Sequence, residues 1–345
     1  MFKKRVLSFA LALLVVGALV LSACAPAPAP EPEEPAEEPA VEEVEEVEEP
    51  AEEEVVEEPA EEEVMEEEAA PELGTEENPI IWAVVPSGDT ERVVAGFDAV
   101  AALLYDATGL VVEPFVATEY AGVIEALSAD PPKAHMASLA TFAYIAAAER
   151  GGAEAELVAV RYGSEVYNGQ IYVRSDSGIE SVADLKDKTF CRPDPLSTSG
   201  WIIPSITLRA AGIDPDNDLA QVVDAGSHDA AVAGVYNGDC DAGSSFVDAR
   251  GSVEDDYPDV MDVIKVIEIS IDIPNDGVQY NPVVPREIRD QINAALIAMS
   301  ETEEGAEALD TAYQWNELVE RDDSFYDPFR QVLDAAGVDP AAFID

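Results

Sequence analysis

The chain has 345 residues, 48% of them apolar, which suffices for the core of one large or two smaller domains. Its formal charge of −55 argues against nucleic acid and anionic membrane surfaces as electrostatic partners. His135 and His228 are the only histidines, and neither CxxC nor HExxH occurs, so neither a metal nor a cofactor is expected.

The first residues read as a targeting segment: Lys3-Lys4-Arg5 is a charged n-region and Val6 to Leu21 an apolar h-region. Leu21-Ser22-Ala23-Cys24 then resembles the lipobox at which bacterial lipoproteins are cleaved and their cysteine diacylated. The expectation is removal of residues 1–23, a lipid on Cys24, and attachment to the outer face of the cytoplasmic membrane. An uncleaved anchor, or a signal peptide cut elsewhere, is the alternative. Residues 24–78 follow as a tether: positions 25–78 hold 25 Asp and Glu and no Lys or Arg. Such a Pro/Glu/Ala/Val run cannot bury enough apolar surface to offset chain entropy, and its charges repel. Val41, Val44 and Val47 recur every third residue, which permits at most a marginal helix.

From Pro79 onward the chain carries 48 acidic and 15 basic residues, so its surface steers no small anion inward; local dipoles must do the holding. Ile80 to Pro86 is a predicted strand ending in the turn Ser87-Gly88-Asp89. Glu91 to Thr108 is a helix with Val94, Phe97, Val100, Ala101 and Leu104 on one face. Val111 to Phe115 is the next strand, a helix begins at Tyr120, and Lys133 to Leu139 is a third strand. His135 sits in that apolar run and reads as a packed core residue. Leu157 to Tyr162 and Gly169 to Arg174 continue the strands. Alternation of this kind predicts an α/β fold with parallel sheets.

After Gly178 the pattern restarts. Lys188 to Arg192 is a short strand stopped by Pro193 and Pro195, and Ile202, Ile203, Ile206 and Leu208 recur at helical spacing before Gly212. Ser197, Thr198 and Ser199 fall on the strand-to-helix corner between them. A helix N-terminus leaves about four backbone N–H groups unpaired and carries roughly half a positive charge. Hydroxyls beside those groups make either a plain N-cap or a neutral pocket for a tetrahedral oxyanion. Asp214-Pro215-Asp216-Asn217-Asp218 imitates a calcium loop but has Leu219 at the sixth position and Ala225 at the twelfth, so it reads as an acidic turn. Further predicted elements are the strand Gln221 to Ala225, the helix His228 to Asn237, and the strands Asp241 to Phe246 and Val263 to Ser270. Cys191 and Cys240 lie on predicted strands and are either a disulfide or two buried thiols. The chain beyond Pro285 reads as amphipathic helix. The partition is one lobe of 79–172 with 273–345 and a second of 173–272.

Tyr120-Ala121-Gly122-Val123, Glu165-Val166-Tyr167, Ser197-Thr198-Ser199-Gly200, Gly226-Ser227-His228-Asp229-Ala230, Asp241-Ala242-Gly243 and Ile273-Pro274-Asn275-Asp276 occur in that order. Together they resemble the phosphate/phosphite/phosphonate substrate-binding proteins of ABC importers, across essentially all of 79–345. The resemblance implies a two-lobed type II periplasmic-binding fold with ligand in the cleft, and a monomer that delivers a phosphorus oxyanion to permease subunits. It also implies ligand contacts at Tyr120, Tyr167, Ser197, Thr198, Ser199, His228, Asp248 and Asp276. Gly169 departs from the family, whose members often carry serine two residues after the second tyrosine.

The chemistry of these residues agrees with that ligand class. Tyr, Ser and Thr hydroxyls are neutral donors, and His228 can donate from one or both ring nitrogens. Asp276 suits only a ligand that offers a proton, as P–OH or as the ammonium of an aminoalkylphosphonate. Two other readings are a binding protein for a non-phosphorus small anion, and an extracellular hydrolase using Ser197 with His228 and an aspartate. Against the hydrolase there is no GxSxG elbow, so no enzyme is expected.

Overall fold

The structure, a computed structural model, describes residues 72–343; the lipobox, Cys24 and the tether up to residue 71 lie outside the described residues. Order begins ahead of Pro79. Gly74 N–H donates to Asn78 O and Val111 N–H to Gly74 O, both at 2.8 Å, which lays this turn beside the first sheet.

The first half contains β1 (Ile80–Val84), α1 (Thr90–Thr108), β2 (Val112–Val116), α2 (Tyr120–Ser128), β3 (Met136–Ser138), α3 (Thr141–Glu149) and β4 (Glu154–Val160). The second half runs through β5 (Val166–Arg174), β6 (Thr189–Arg192), α4 (Ile203–Ala210), β7 (Gln221–Asp224), α5 (His228–Asn237), β8 (Ala242–Phe246), α6 (Val260–Val263) and β9 (Ile264–Pro274). The chain then returns to the first half with β10 (Gly277–Tyr280), α7 (Arg286–Met299), α8 (Glu303–Tyr313), β11 (Glu317–Glu320) and α9 (Asp327–Ala336).

One sheet has the order β11-β4-β10-β3-β1-β2 and the other β7-β6-β8-β5-β9. Neither is purely parallel, which corrects the expectation from alternation alone. β1 pairs in parallel with β2 and β3, but β10 is antiparallel to both β3 and β4, and β11 to β4. In the other sheet β6 is parallel to its neighbours while β5 is antiparallel to β8 and β9. β10 is only four residues long, arrives late in the chain, and carries no alternation that marks it. Gly277 lets it enter: a Cβ there would stand 1.9 Å from Leu157 O of β4.

The strand β5 belongs wholly to the second sheet, so the sheets change at 161–165 and 275–276 rather than at the 172/173 junction read from sequence. Asn275 ties these two crossings together. It is fully buried, its N–H donates to Glu165 O at 2.9 Å, and its amide donates to Ala159 O at 2.9 Å and Ser164 O at 3.0 Å.

Local rules explain the elements that carry the site. Asp89 accepts from Arg92 N at 2.9 Å and starts α1, and Gly109 ends it in the left-handed region at φ 74°. Val93 rather than Val94 joins Phe97, Val100, Ala101 and Leu104 inside; Val94 faces solvent. Phe97 packs edge-on against Trp82 at 5.0 Å and Tyr313 at 4.9 Å, which anchors the end of α8 to the first sheet. In the second half Cys191 and Cys240 form a disulfide with a Cα separation of 5.8 Å, joining β6 to the turn after α5. In the Asp214–Asp218 turn, Asp214 accepts from Asp216 N and the Asn217 amide, and Asp218 from Asp214 N and Lys186.

Candidate functional site

The serine corner forms as expected, between β6 and α4, but its first turn, Thr198–Ile202, is wound as a π-helix. Ser197 is its N-cap and accepts from Gly200 N at 3.2 Å. Ser197, Thr198 and Ser199 are all buried. Ser244 Oγ donates to Gly200 O and holds the corner onto β8.

Around this corner, side chains of the second half meet the N-termini of three helices of the first half. Thr198 Oγ1 accepts from Phe142 N, in the first turn of α3, at 2.9 Å. Asp194 Oδ2 accepts from Tyr120 N, the first residue of α2, at 3.1 Å. Asp229 Oδ2 accepts from Asp89 N, ahead of α1, at 3.0 Å, with Arg92 3.9 Å away. Neither Glu119 nor Ala140, the N-cap residues of α2 and α3, makes a side-chain cap of its own. The second half therefore caps them in trans. α5 completes the convergence: His228 is its first residue, and His228 N–H donates to Ser87 O at 3.2 Å.

The hydroxyls gather at the same place. Tyr120 lies beside Ser197, and Tyr167 beside Ser199 and Thr198. Burial, then Asp194, raises the Tyr120 phenol well above its ordinary range, and burial pushes Tyr167 up to about 12. Both are neutral donors at any physiological pH. Ser197 and Thr198 each spend oxygen lone pairs on a backbone N–H, so each keeps its single proton for another acceptor. Gly169 lies against Ser199: a Cβ there would stand 3.1 Å from both Ser199 Cβ and Ser199 O. A side chain at 169 would crowd Ser199, which would have to give by a few tenths of an ångström.

His228 is buried, with Nε2 3.5 Å from Ser197 Oγ and Nδ1 without a hydrogen-bond partner. Burial lowers its pKa to about 3, so the ring is neutral. A Ser–His pair working as nucleophile and base needs a third group on Nδ1 to orient the imidazole, and none is there. His135 is half-buried, its Nδ1 accepting from Ile81 N at 3.0 Å, a structural role.

The two carboxylates expected at the ligand are both engaged by arginines. Asp276 receives Arg161 at 2.5 and 3.1 Å and Trp315 Nε1 at 3.1 Å. It adjoins Tyr167 and Tyr313, so it lies on the hydroxyl side of the cleft. Asp248 pairs with Arg250 and accepts from Gln170 Nε2 at 3.0 Å. Sequence reasoning missed Arg161, Asp194, Tyr313 and Ser87. Tyr313, which donates to Val85 O and lies beside Ser87, comes from the end of α8 and carries no local signal. Arg161 had one: a lone cation at the end of an apolar strand in an acid-rich chain. A separate groove of about 940 Å³ between α3, β4 and α9 holds mutually paired charges such as Arg286–Glu156 and Arg330–Asp323, and touches none of the corner residues.

A family model described as ABC transporter, phosphonate, periplasmic substrate-binding protein matches residues 82–326. The chain belongs to this family. Its members are substrate-binding proteins of ABC transporters and not enzymes. The phosphate-import protein PhnD of Mycolicibacterium smegmatis is 32% identical over 177 residues, which is 48% of this chain and 54% of that protein. The phosphonates-binding periplasmic protein of Escherichia coli K12 is 27% identical over 208 residues, 59% of this chain and 60% of that one. The chain thus spans a little over half the length of the curated relatives it matches. Among solved structures, a binding protein of an ABC phosphonate transporter from Pseudomonas aeruginosa superposes with a TM-score of 0.69 at 23% identity, covering 75% of this chain and 87% of that one. PhnD1 of Prochlorococcus marinus in complex with methylphosphonate gives 0.66 at 14%, covering 75% and 98%. The fold is the type II periplasmic-binding fold.

Two predictions follow from the trans caps and the buried ring. Asp194→Ala strands the N–H groups of Tyr120 and Leu196, whereas Asp194→Asn keeps an acceptor. Loss of such a cap costs about 1 kcal/mol, so solution scattering should show a larger radius for the alanine variant and a near-native one for asparagine. An unchanged radius for the alanine variant would deny the cap a part in holding the halves together. His228 has a folded pKa of about 3 against an ordinary 6.5, so between those values the unfolded chain takes up a proton that the folded one refuses. Stability from this ring is complete above pH 6.5 and falls as pH drops, by about 2 kcal/mol at pH 5. Melting curves of His228→Gln should lose that part of the acid sensitivity and retain the part due to His135, which is shifted in the same direction by burial.

Proposed function

We propose that the chain is an extracytoplasmic lipoprotein that captures a phosphorus oxyanion (phosphonate, phosphite or phosphate) and delivers it to the permease of an ABC importer. The observation that carries this reading is the convergence of helix N-termini and neutral hydroxyls from both halves on one corner. In a body of −33 charge, fixed backbone dipoles are the means of holding an anion without bringing in free cations. Tyr120, Tyr167, Ser197, Thr198 and Ser199 are the donors in this reading, and neutral His228 contributes Nε2. Asp276 and Asp248 shape the wall through their arginine partners. The two lobes, each built around one of the sheets, swing on the crossings at 161–165 and 275–276. A lipid on Cys24 tethers a monomer to the outer face of the cytoplasmic membrane, with the acidic run keeping the binding body clear of the surface.

Calorimetry on the detergent-solubilised mature protein tests the ligand class. Saturable one-to-one binding of phosphite, phosphate or a phosphonate, with sulfate and methylsulfonate inert, is the expected outcome. Binding of the sulfur anions alone would overturn the phosphorus reading. The anchor has its own test: Cys24→Ser should lose a palmitate label and leave the membrane fraction or remain unprocessed. A label that persists in the variant would assign the lipid elsewhere.

A further inference from the structure

We propose that Arg161 and Arg250 set the specificity of the site, restricting it to small phosphorus oxyanions without a cationic substituent. They do so by neutralising the two carboxylates that an ammonium group would otherwise use. This inference rests on the phosphorus-oxyanion reading and narrows it.

The Arg161 guanidinium is fully committed. It meets both oxygens of Asp276, at 2.5 and 3.1 Å, and donates also to Asn275 Oδ1 at 3.1 Å and to Tyr313 O at 3.1 and 3.0 Å. Trp315 Nε1 takes a further lone pair of Asp276. Both members of the pair are largely shielded, with side chains 19% and 15% exposed. Burial opposes the charge on Arg161, but Asp276 outweighs it and raises the guanidinium further above its ordinary range.

Asp248 is held the same way by a different cation. Arg250 Nε lies 2.9 and 3.2 Å from its two oxygens and Nη2 2.5 Å from Oδ2, while Nη1 donates to Ile264 O at 2.8 Å. Arg250 N and Gln170 Nε2 donate to Asp248 Oδ1 at 3.1 and 3.0 Å. Burial works against this carboxylate, and Arg250 with Gln170 overcomes it, so Asp248 remains the ionised half of a pair.

Two other acids at the corner are engaged, Asp194 through both oxygens and Asp229 through Oδ2, with Asp229 Oδ1 buried and without a hydrogen-bond partner. Asp194 is buried and accepts from two backbone N–H groups, and Asp229 is turned toward Asp89 N and Arg92. His228 is neutral. An incoming ammonium would therefore lose its water and face carboxylates whose field is cancelled by a guanidinium within hydrogen-bonding distance. The anionic end of the ligand is untouched by this, because it is held by N–H and O–H donors. The site accordingly distinguishes ligands by the substituent on phosphorus rather than by the phosphorus group.

The test compares methylphosphonate and phosphite with 2-aminoethylphosphonate, by calorimetry on the detergent-solubilised mature protein and on Arg161→Gln and Arg250→Gln. The native protein should bind the better of the two unsubstituted ligands at least about tenfold more tightly than the aminoethyl compound. Each variant frees one carboxylate and should shrink that ratio by about fivefold or more. Arg250→Gln carries the comparison where Arg161→Gln fails to fold, since Arg161 also supports Asn275 and Tyr313. Equal or tighter native binding of 2-aminoethylphosphonate overturns the proposal and leaves the phosphorus reading standing. A ratio unchanged in Arg250→Gln that still binds methylphosphonate removes Arg250 from it. Binding of none of the three, nor of phosphate, by the native protein defeats the phosphorus reading and this inference with it.

Discussion

The structure depends on helix N-termini that are capped across the cleft rather than within their own half. An uncapped first turn leaves backbone N–H groups without partners, and removing a side-chain cap costs roughly 1 kcal/mol. α2 and α3 begin at Tyr120 and Thr141 with no side-chain cap from their own N-cap residues; Asp194 and Thr198 of the other half supply the acceptors. Because these N-termini point at one place, their partial charges add there.

Charge elsewhere near the corner is handled by pairing. Arg161 with Asp276, and Arg250 with Asp248, place full charges near the hydroxyls while adding little net field. The aromatic cluster of Trp82, Phe97, Tyr313 and Trp315 holds one of these pairs in position, since Trp315 donates to Asp276 and the Tyr313 carbonyl receives Arg161. Rigid packing in the first half thus reaches the cleft through two side chains at the end of α8 and just beyond it. On the opposite side, the disulfide between Cys191 and Cys240 fixes β6 against α5, the two elements that present the serine corner and His228.

Sequence reasoning reached what is locally encoded. The serine corner was legible because two prolines stop a strand, three hydroxyl residues follow, and an isoleucine-rich helical spacing resumes directly after. The α5 start at His228 was legible for similar reasons, with Ser227 capping Ala230 N at 3.1 Å. What escaped was non-local. β10 and β11 are four-residue strands whose pairing partners lie over a hundred residues away in sequence, so no periodicity marks them. The partners of Asp276 escaped for the same reason: Arg161 and Trp315 are brought to it by a strand end and a helix end, and only the fold joins them. Asp276 itself was legible as a candidate ligand contact, without the arginine that pairs with it.

Two kinds of contact join the halves: one buried apolar cluster runs through both of them, and hydrogen bonds cross between them, each contributing on the order of 1 kcal/mol net because water can replace it. The polar contacts are exchangeable with water, and they lie beside the two crossings pinned by Asn275. When Phe142 N–H donates to Thr198 Oγ1, the hydroxyl has spent one of its two lone pairs and still has its proton to give. Ser197, accepting from Gly200 N, is set in the same sense at all times because its donor lies within its own turn. Thr198 differs in that its donor belongs to the opposite half. Capping in trans therefore makes one contact both a link between the halves and a constraint on a hydroxyl of the serine corner.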